Sequence, residues 1–226
     1  MPTGLTPARP SSGTSLRRVA AIPLAFVVLA SGVALAGVVV LNRRFGVRFG
    51  DLTRDPSIVM SGPLSYGVLS TAGGLLWSAA TAVCVLARLH LGRTSAGRFF
   101  AASAAFTAWL MLDDVFLLHE KALPVYLGVP ETAFHVAYPM ICLAWLAAFR
   151  RRILATRRLT LAVALAFFTA SEGMDALLKW DTDAFFLFED GAKFVGIVAW
   201  LAYFVDAALA AFRDAAATVV YGNLPD

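Results

Sequence analysis

The sequence has few charged residues and only two cysteines. Charged side chains make up 15% of the 226 residues, whereas a soluble domain carries about 25%. Hydrophobic residues make up 59% and the mean hydropathy is +0.74, which excludes an ordinary soluble domain and indicates a membrane protein. Cys84 and Cys142 each lie inside an apolar run and form neither a CxxC pair nor a disulfide framework, so we interpret both as packing residues.

Six apolar segments are each near or above the length of about 20 residues that crosses a bilayer as a helix. Helices are expected because every backbone polar group must be satisfied within its segment in lipid. The segments are 19–41, 64–88, 99–118, 132–149, 159–178 and 184–212. We therefore predict an all-α, polytopic transmembrane bundle of about six spans over residues 17–213, with a disordered cytoplasmic N-terminus (1–16) and a C-terminal tail (214–226).

Basic residues are distributed unevenly between the two sides of this bundle. If the N-terminus is cytoplasmic, twelve Lys and Arg residues lie inside and seven outside, and the positive-inside rule then places both termini in the cytoplasm. These residues flank spans rather than forming a reading face for nucleic acid, so no nucleic-acid partner is expected. A second interpretation treats residues up to Ala34-Leu35-Ala36 as a cleaved signal peptide, which leaves five spans.

Acidic residues concentrate at the end of the bundle that this orientation places outside. Charges at a helix centre cost an estimated ~2.5–3.5 kcal/mol each, and less near the interface, so these groups should face the bundle interior or a watery cavity. Two of the three histidines, His119 and His135, lie at the same end. The ten acidic residues, of fifteen in the chain, are Asp113, Asp114, Glu120, Glu131, Glu172, Asp175, Asp181, Asp183, Glu189 and Asp190.

The stretch LMLDDVFLLHE (110–120) supplies most of the candidate site. If its helix is continuous, Asp113 lies about 9 Å deeper than His119 and shares a face with Glu120. We predict that His119, His135 and Glu120 bind a divalent metal, zinc or another. The candidate catalytic acids are Asp113, Asp114, Glu172 and Asp175. The alternatives are that His119 and Glu120 mark where the helix leaves the membrane, and that Glu172 and Asp175 form ion pairs.

Five further residues are predicted to line the pocket or neutralise it. Glu189, Asp190 and Lys193 begin the last span, and Glu189 can pair with Lys193 at i,i+4. Arg43 and Arg44, in the first outer loop, are candidate counter-ions for the acidic pocket, although they could equally bind lipid phosphates or an anionic substrate.

The pairs Asp113-Asp114, His119-Glu120 and Glu189-Asp190 resemble a loose group of uncharacterised bacterial polytopic membrane proteins. This resemblance covers short stretches only and implies a bacterial inner-membrane location without a known activity. The chain is also similar to the superfamily of alkaline ceramidases and adiponectin-receptor-like proteins, in which membrane-embedded His and Asp bind zinc near one face. It departs from that superfamily because the late HxxxH pair is missing, and no histidine follows His135.

Three functions remain open at this point. The first is a metal-dependent membrane enzyme, such as a hydrolase acting on a lipid or amphiphile in the bilayer. The second is a cation or proton transporter that uses the intramembrane carboxylates. The third is a non-catalytic membrane protein whose polar cluster fixes the packing of its helices.

Overall fold

The described part of the chain is helical, which confirms the all-α prediction. A computed structural model describes residues 24–54, 56–63, 65–156, 158–177 and 182–221, and no strand occurs in those ranges. The helices are α1 (Leu24–Phe45), α2 (Phe49–Thr53), α3 (Pro56–Val59), α4 (Val68–Leu91), α5 (Ser95–Phe116), α6 (Leu123–Leu127), α7 (Thr132–Leu154), α8 (Arg158–Leu177) and α9 (Asp183–Tyr221), with a π-helical turn over Leu118–Ala122.

Four of these helices are long and apolar enough to cross a membrane, and they indicate a membrane protein. They are α4, α5, α7 and the part of α9 over Asp183–Thr218. The other two predicted segments, 19–41 and 159–178, correspond to α1 and α8 but also include residues outside the described part. The count of six spans and the cytoplasmic location of the termini therefore stay predictions, and residues 1–16 lie outside the described ranges.

The chain divides into two compact units, Met1–Phe49 and Gly50–Asp226. In the first unit, α1 is an apolar helix with Arg43 and Arg44 in its last turn. The second unit contains α3 to α9, in which α4 packs against α5 and α9, and α8 packs against α9. Helix α9 continues beyond residue 213, so that residues 214–221 of the predicted tail are helical.

Helix α9 supplies the centre of the second unit. Ile197, Trp200, Phe204 and Ala211 are all buried and recur every three to seven residues, which places them on one helix face. Trp200 contacts the rings of several aromatic residues of other helices, including Trp145 of α7 and Phe168 of α8. This aromatic layer closes the middle of the bundle.

Small residues allow α4 to approach its neighbours closely. Gly73, Ala80, Cys84 and Ala87 are buried along one side of α4, as in helix interfaces within membranes that are built from small side chains. Cys84 is fully buried, which agrees with its interpretation as a packing residue. A side chain on Gly73 would bring its Cβ within 3.3 Å of Ile197, so the backbone of α4 lies directly against α9.

Replacing Gly196 with alanine is expected to destabilise the protein by about 1–3 kcal/mol, the usual cost of overpacking a core. A Cβ at Gly196 would meet the ring of Phe168 at 2.6 Å and the Ala164 carbonyl oxygen at 3.3 Å. The matched control is Gly191→Ala on the same helix, where nothing lies within 4 Å of the new Cβ. Thermal unfolding of the two variants in detergent measures the difference, and equal midpoints would contradict this packing.

Helix α7 lies beside this core and is anchored mainly at one end. Its buried residues are Trp145 and Ile153, both in its second half. Pro139 lies inside the helix, and because proline has no N–H it cannot donate a hydrogen bond to the carbonyl of His135, four residues earlier. The first half of α7, which carries His135, is therefore held by few buried contacts.

Candidate functional site

A cavity of about 500 Å³ lies inside the second unit, bounded by α4, α5, α7, α8 and α9. Its polar wall lies where α5 ends and α7 and α9 begin, which we call the polar end of the bundle. The apolar remainder includes Trp77, Phe106, Leu165, Phe168 and Trp200. The acidic, histidine and lysine residues that line it are Asp113, Asp114, His119, His135, Glu172 and Lys193.

Asp113 binds His119 because α5 does not continue through residue 118. Helix α5 ends at Phe116, and Leu117 adopts a left-handed conformation with φ 49° and ψ 46°, which is uncommon for a bulky residue. The π-helical turn that follows brings the backbone N–H and Nδ1 of His119 to the two carboxylate oxygens of Asp113, at 2.9 and 2.6 Å. The prediction that the helix continues through Glu120 is therefore wrong. A continuous helix would have placed His119 about 9 Å from the level of Asp113, with Glu120 on the same face as Asp113.

The imidazole of His119 holds its proton more tightly than an ordinary histidine. Burial, the largest influence, lowers the pKa of His119, but the hydrogen bond and negative charge of Asp113 outweigh it, with smaller contributions from Glu120 and Glu172. The net result is a pKa above the ordinary value of 6.5. Asp113, which is only 4% exposed, thus has a cationic partner over a wider pH range than a free histidine would supply.

The stability of the protein is expected to fall as the pH rises through the raised pKa of His119. A group whose pKa is higher in the folded state stabilises folding fully below its unfolded pKa, near 6.5, and this contribution is lost above the folded pKa. We expect Tm to drop by a few degrees across this range. Thermal unfolding across a pH series measures the Tm of the wild type and of His119→Gln, which is the control. A control that shows the same drop would assign the effect to another group.

A second imidazole–carboxylate pair lies on the opposite side of the cavity, between α7 and α8. Nδ1 of His135 lies 2.5 Å from Oε1 of Glu172, and Nε2 lies 4.0 Å from Oδ2 of Asp175. Glu172 and Asp175 are three residues apart on α8, so they project from one face of the helix and reach the two nitrogens of one ring. Glu172 fixes the orientation of the imidazole, as carboxylates do for metal-binding histidines.

Glu131, His135 and Asp175 form the group in the described residues that could hold a metal ion. One ligand atom from each lies within 4.8 Å of the others. A tetrahedral zinc ion with bonds of about 2.1 Å holds its ligand atoms about 3.4 Å apart. Because all three side chains are partly exposed, small rotations would close the set around an ion.

This group differs from the metal ligands predicted from the sequence. His135 belongs to both sets, but His119 lies with Asp113, and Glu120 is exposed. Asp175, predicted as a catalytic acid, falls in the metal group, and Glu131 joins it from the residue before α7. The sequence placed Glu131 at the correct end of the bundle but gave no spacing that would mark it as a ligand.

Asp114 is paired with Lys193, which lies 79 residues further along the chain. The Nζ atom of Lys193 donates a hydrogen bond to Oδ1 of Asp114 at 2.9 Å, across the interface of α5 and α9. The sequence predicted Glu189 as the partner of this lysine. Asp190 lines a small neighbouring cavity of about 40 Å³ together with Asp114 and Lys193. Arg43 and Arg44 belong to the first unit, and their role as counter-ions stays a prediction.

Two aromatic side chains with polar atoms also belong to the cavity lining. Nε1 of Trp77 is buried without a hydrogen-bond partner among the described residues, and the hydroxyl of Tyr138 interacts with the side chain of Asp113. Both residues line the cavity, and Trp77 is only 4% exposed. Sequence reasoning missed both, because each lies in an apolar run where an aromatic residue predicts packing. Tyr138 also contacts the ring of His119, with centroids 5.9 Å apart.

The profile of a family described as a domain of unknown function, DUF8692, covers residues 21–207. No curated protein and no solved structure matches the chain significantly.

Proposed function

This chain belongs to the DUF8692 family of unknown function, and from its cavity we propose that it is a metal-dependent hydrolase acting on a lipid or another amphiphile. The observation that carries this proposal is the joint lining of one cavity by His119–Asp113, His135–Glu172 and an apolar aromatic surface. Ligand sites combine such apolar linings with a few convergent polar groups. An amphiphile fits a cavity that is charged at one end and apolar at the other.

The metal is assigned to Glu131, His135 and Asp175. One imidazole and two carboxylates would hold the ion, and catalytic zinc sites likewise use three protein ligands. Glu172 holds Nδ1 of His135, which leaves Nε2 as the nitrogen that would bind an ion. An ion held by these residues would supply Lewis-acid chemistry and would make a nearby water molecule easier to deprotonate.

His119 is assigned as the general acid–base group. Asp113 accepts the hydrogen bond from Nδ1, and Nε2, which lies 3.9 Å from Oε1 of Glu120, is the nitrogen that remains to exchange protons. In the proposed reaction, Nε2 takes a proton from the attacking water and returns it to the oxygen of the leaving group. Asp113 is a positioning residue, because it orients the imidazole and balances its positive charge.

The transporter alternative finds less support in the bundle. A path for ions or protons needs polar groups through its whole length. Below the cavity, the centre of the second unit is filled by buried aromatic residues, among them Trp200, Phe204 and Phe99. The hydroxyls of Ser103 and Thr107 in this layer accept hydrogen bonds from Trp145 and Trp200, so they are engaged in packing.

The proposed location is the bacterial inner membrane, with the polar end of the bundle on the outside. Its support is the distribution of Lys and Arg between the two sides and the resemblance carried by Asp113-Asp114 and His119-Glu120. In this orientation the metal group opens toward the outer surface, and both termini lie in the cytoplasm.

The direct test is metal analysis of the purified wild-type protein, coupled to hydrolysis assays with a panel of ester-, amide- and phosphate-linked lipids. We expect about one zinc or similar divalent ion per chain, and a hydrolytic activity that a chelator removes and the metal restores. Protein purified without any divalent ion, and inactive after metal is added, would refute the proposal. Cation or proton flux in reconstituted vesicles would favour the transporter instead.

A further inference from the structure

We propose that Arg98 of α5 and Arg150 of α7 bind the phosphate group of an anionic phospholipid at the end of the bundle opposite the polar end. We call this the basic end; it is where α4 and α7 end and α5 and α8 begin. The site is separate from the cavity, and it does not depend on whether the cavity hydrolyses a lipid.

Contacts with α9 hold the helix ends of the basic end together. The ring of His90, near the end of α4, lies 4.8 Å from the ring of Phe212 of α9. The hydroxyl of Thr156, which follows α7, lies 3.1 Å from the hydroxyl of Tyr203 of α9. The connections from α4 to α5 and from α7 to α8 are therefore anchored to the same helix and lie at one end of the second unit.

The described residues of this end carry a large excess of positive charge. They include eight arginines and two aspartates, namely Arg88, Arg93, Arg98, Arg150, Arg151, Arg152, Arg158, Arg213, Asp206 and Asp214. The ion pairs between described residues involve histidine or lysine at the polar end, and none of these pairs contains an arginine. The basic end thus presents positive charge that suits an anionic ligand.

An aromatic contact brings two of these arginines to one place. The ring of Phe99, which is only 1% exposed, packs against the ring of Phe149 with centroids 5.5 Å apart. Arg98 directly precedes Phe99. Arg150 directly follows Phe149, and both arginines are exposed. Because a guanidinium group is carried on a long side chain and matches the geometry of a phosphate, the two arginines can approach one phosphate from two helices.

The surroundings of these arginines favour a phospholipid over a soluble anion. Helix α7 is long and apolar enough to cross a membrane, and its 23 residues span about 35 Å. The hydrocarbon core of a bilayer is about 30 Å thick, so the last turn of α7 reaches the level of the headgroups. Leu154 and Leu159, beside the connection from α7 to α8, are 60% and 75% exposed. A phospholipid covers such leucines with its chains while its phosphate binds the arginines, whereas a soluble anion leaves them uncovered.

The test measures a preference for an anionic headgroup. The purified full-length protein in a non-ionic detergent is mixed with equal amounts of dioleoylphosphatidylglycerol and dioleoylphosphatidylcholine. These lipids have the same chains and the same phosphate, but only phosphatidylglycerol has a net negative charge. Native mass spectrometry then gives the ratio of the two complexes that contain one lipid molecule.

We expect the wild type to prefer phosphatidylglycerol by about 25-fold, since each arginine beside an anionic lipid contributes about fivefold. In Arg98→Gln/Arg150→Gln the ratio should fall by at least about tenfold. The matched control is Arg158→Gln/Arg213→Gln, which removes the same charge from two exposed positions of the basic end and should change the ratio by less than about twofold. Because both lipids compete for the same variant, a general loss of stability does not mimic this result.

Three outcomes overturn the inference. A ratio near one in the wild type would show that the basic end does not select anionic lipid. An equal fall in both double variants would show a diffuse attraction to all the arginines rather than a site at Arg98 and Arg150. Displacement of phosphatidylglycerol by millimolar inorganic phosphate would show that the arginines bind a soluble anion.

Discussion

Replacing His135 with alanine is expected to lower metal affinity by at least about 100-fold and to abolish hydrolysis. His135 supplies the one nitrogen ligand of the metal group, and even a residue that only orients such a ligand is worth about 10–100-fold in affinity. Glu172→Gln removes the carboxylate that orients His135. It should therefore lower metal affinity by about 10–100-fold and leave metal binding measurable. Isothermal titration with Zn²⁺, after a chelator has removed bound metal, measures the metal affinity of the wild type and of both variants.

The other two histidines supply matched controls for this result. His119→Ala should retain the metal and lose about 10²–10⁴-fold in turnover, which is the usual contribution of a general acid–base group. His90→Ala, at the far end of α4, should change neither quantity. If His119→Ala instead loses the metal while His135→Ala keeps it, the metal group has been assigned to the wrong side of the cavity.

Replacing Lys193 with methionine is expected to destabilise the protein by about 2–3 kcal/mol. The change leaves Asp114 without its cationic partner, and breaking a buried ion pair on one side costs about 3–5 kcal/mol. The lower value reflects partial exposure, since the side chains of Lys193 and Asp114 are 34% and 15% exposed. Thermal or denaturant unfolding in detergent measures the loss, which corresponds to a Tm lower by several degrees.

The double variant Asp114→Asn/Lys193→Met isolates the cost of the unpaired charge. It should be more stable than Lys193→Met alone, because the remaining polar group is neutral. Lys121→Met, at an exposed position, should change stability by less than about 0.5 kcal/mol. A double variant less stable than the single one would show that the Asp114 carboxylate has another stabilising partner, and that its unpaired charge is not the cause of the loss.

The positions of the helices could be predicted from the sequence, since apolar length is a strong signal in a membrane chain. The segment 132–149 became α7 over Thr132–Leu154, and 184–212 lies within α9. The end of α5 could not be predicted. Leu117 adopts a left-handed conformation without the glycine, asparagine or proline that usually marks such a break, so no local signal in the sequence announces it.

The candidate site was predictable as a set of charged residues at one end of the bundle, but not as a set of pairs. The i,i+3 relation of Glu172 and Asp175 followed from helical spacing, and both carboxylates lie near His135. Pairing between distant segments, as in Asp114 with Lys193, depends on how helices pack, which spacing within one helix does not reveal. Trp77 and Tyr138 carry no charge and lie in apolar runs, so their place in the cavity lining was not predictable.

The weak anchoring of the first half of α7 has a kinetic consequence. His135 and Tyr138 lie between a free helix start and Pro139, while the buried contacts of α7 are at Trp145 and Ile153. Segments with few buried contacts open at low free energy, so amide hydrogen exchange should be fastest in this half. An ion held by Glu131, His135 and Asp175 joins this half of α7 to α8. We then expect metal binding to slow the opening of this half of α7, which appears as slower amide exchange in the metal-loaded protein.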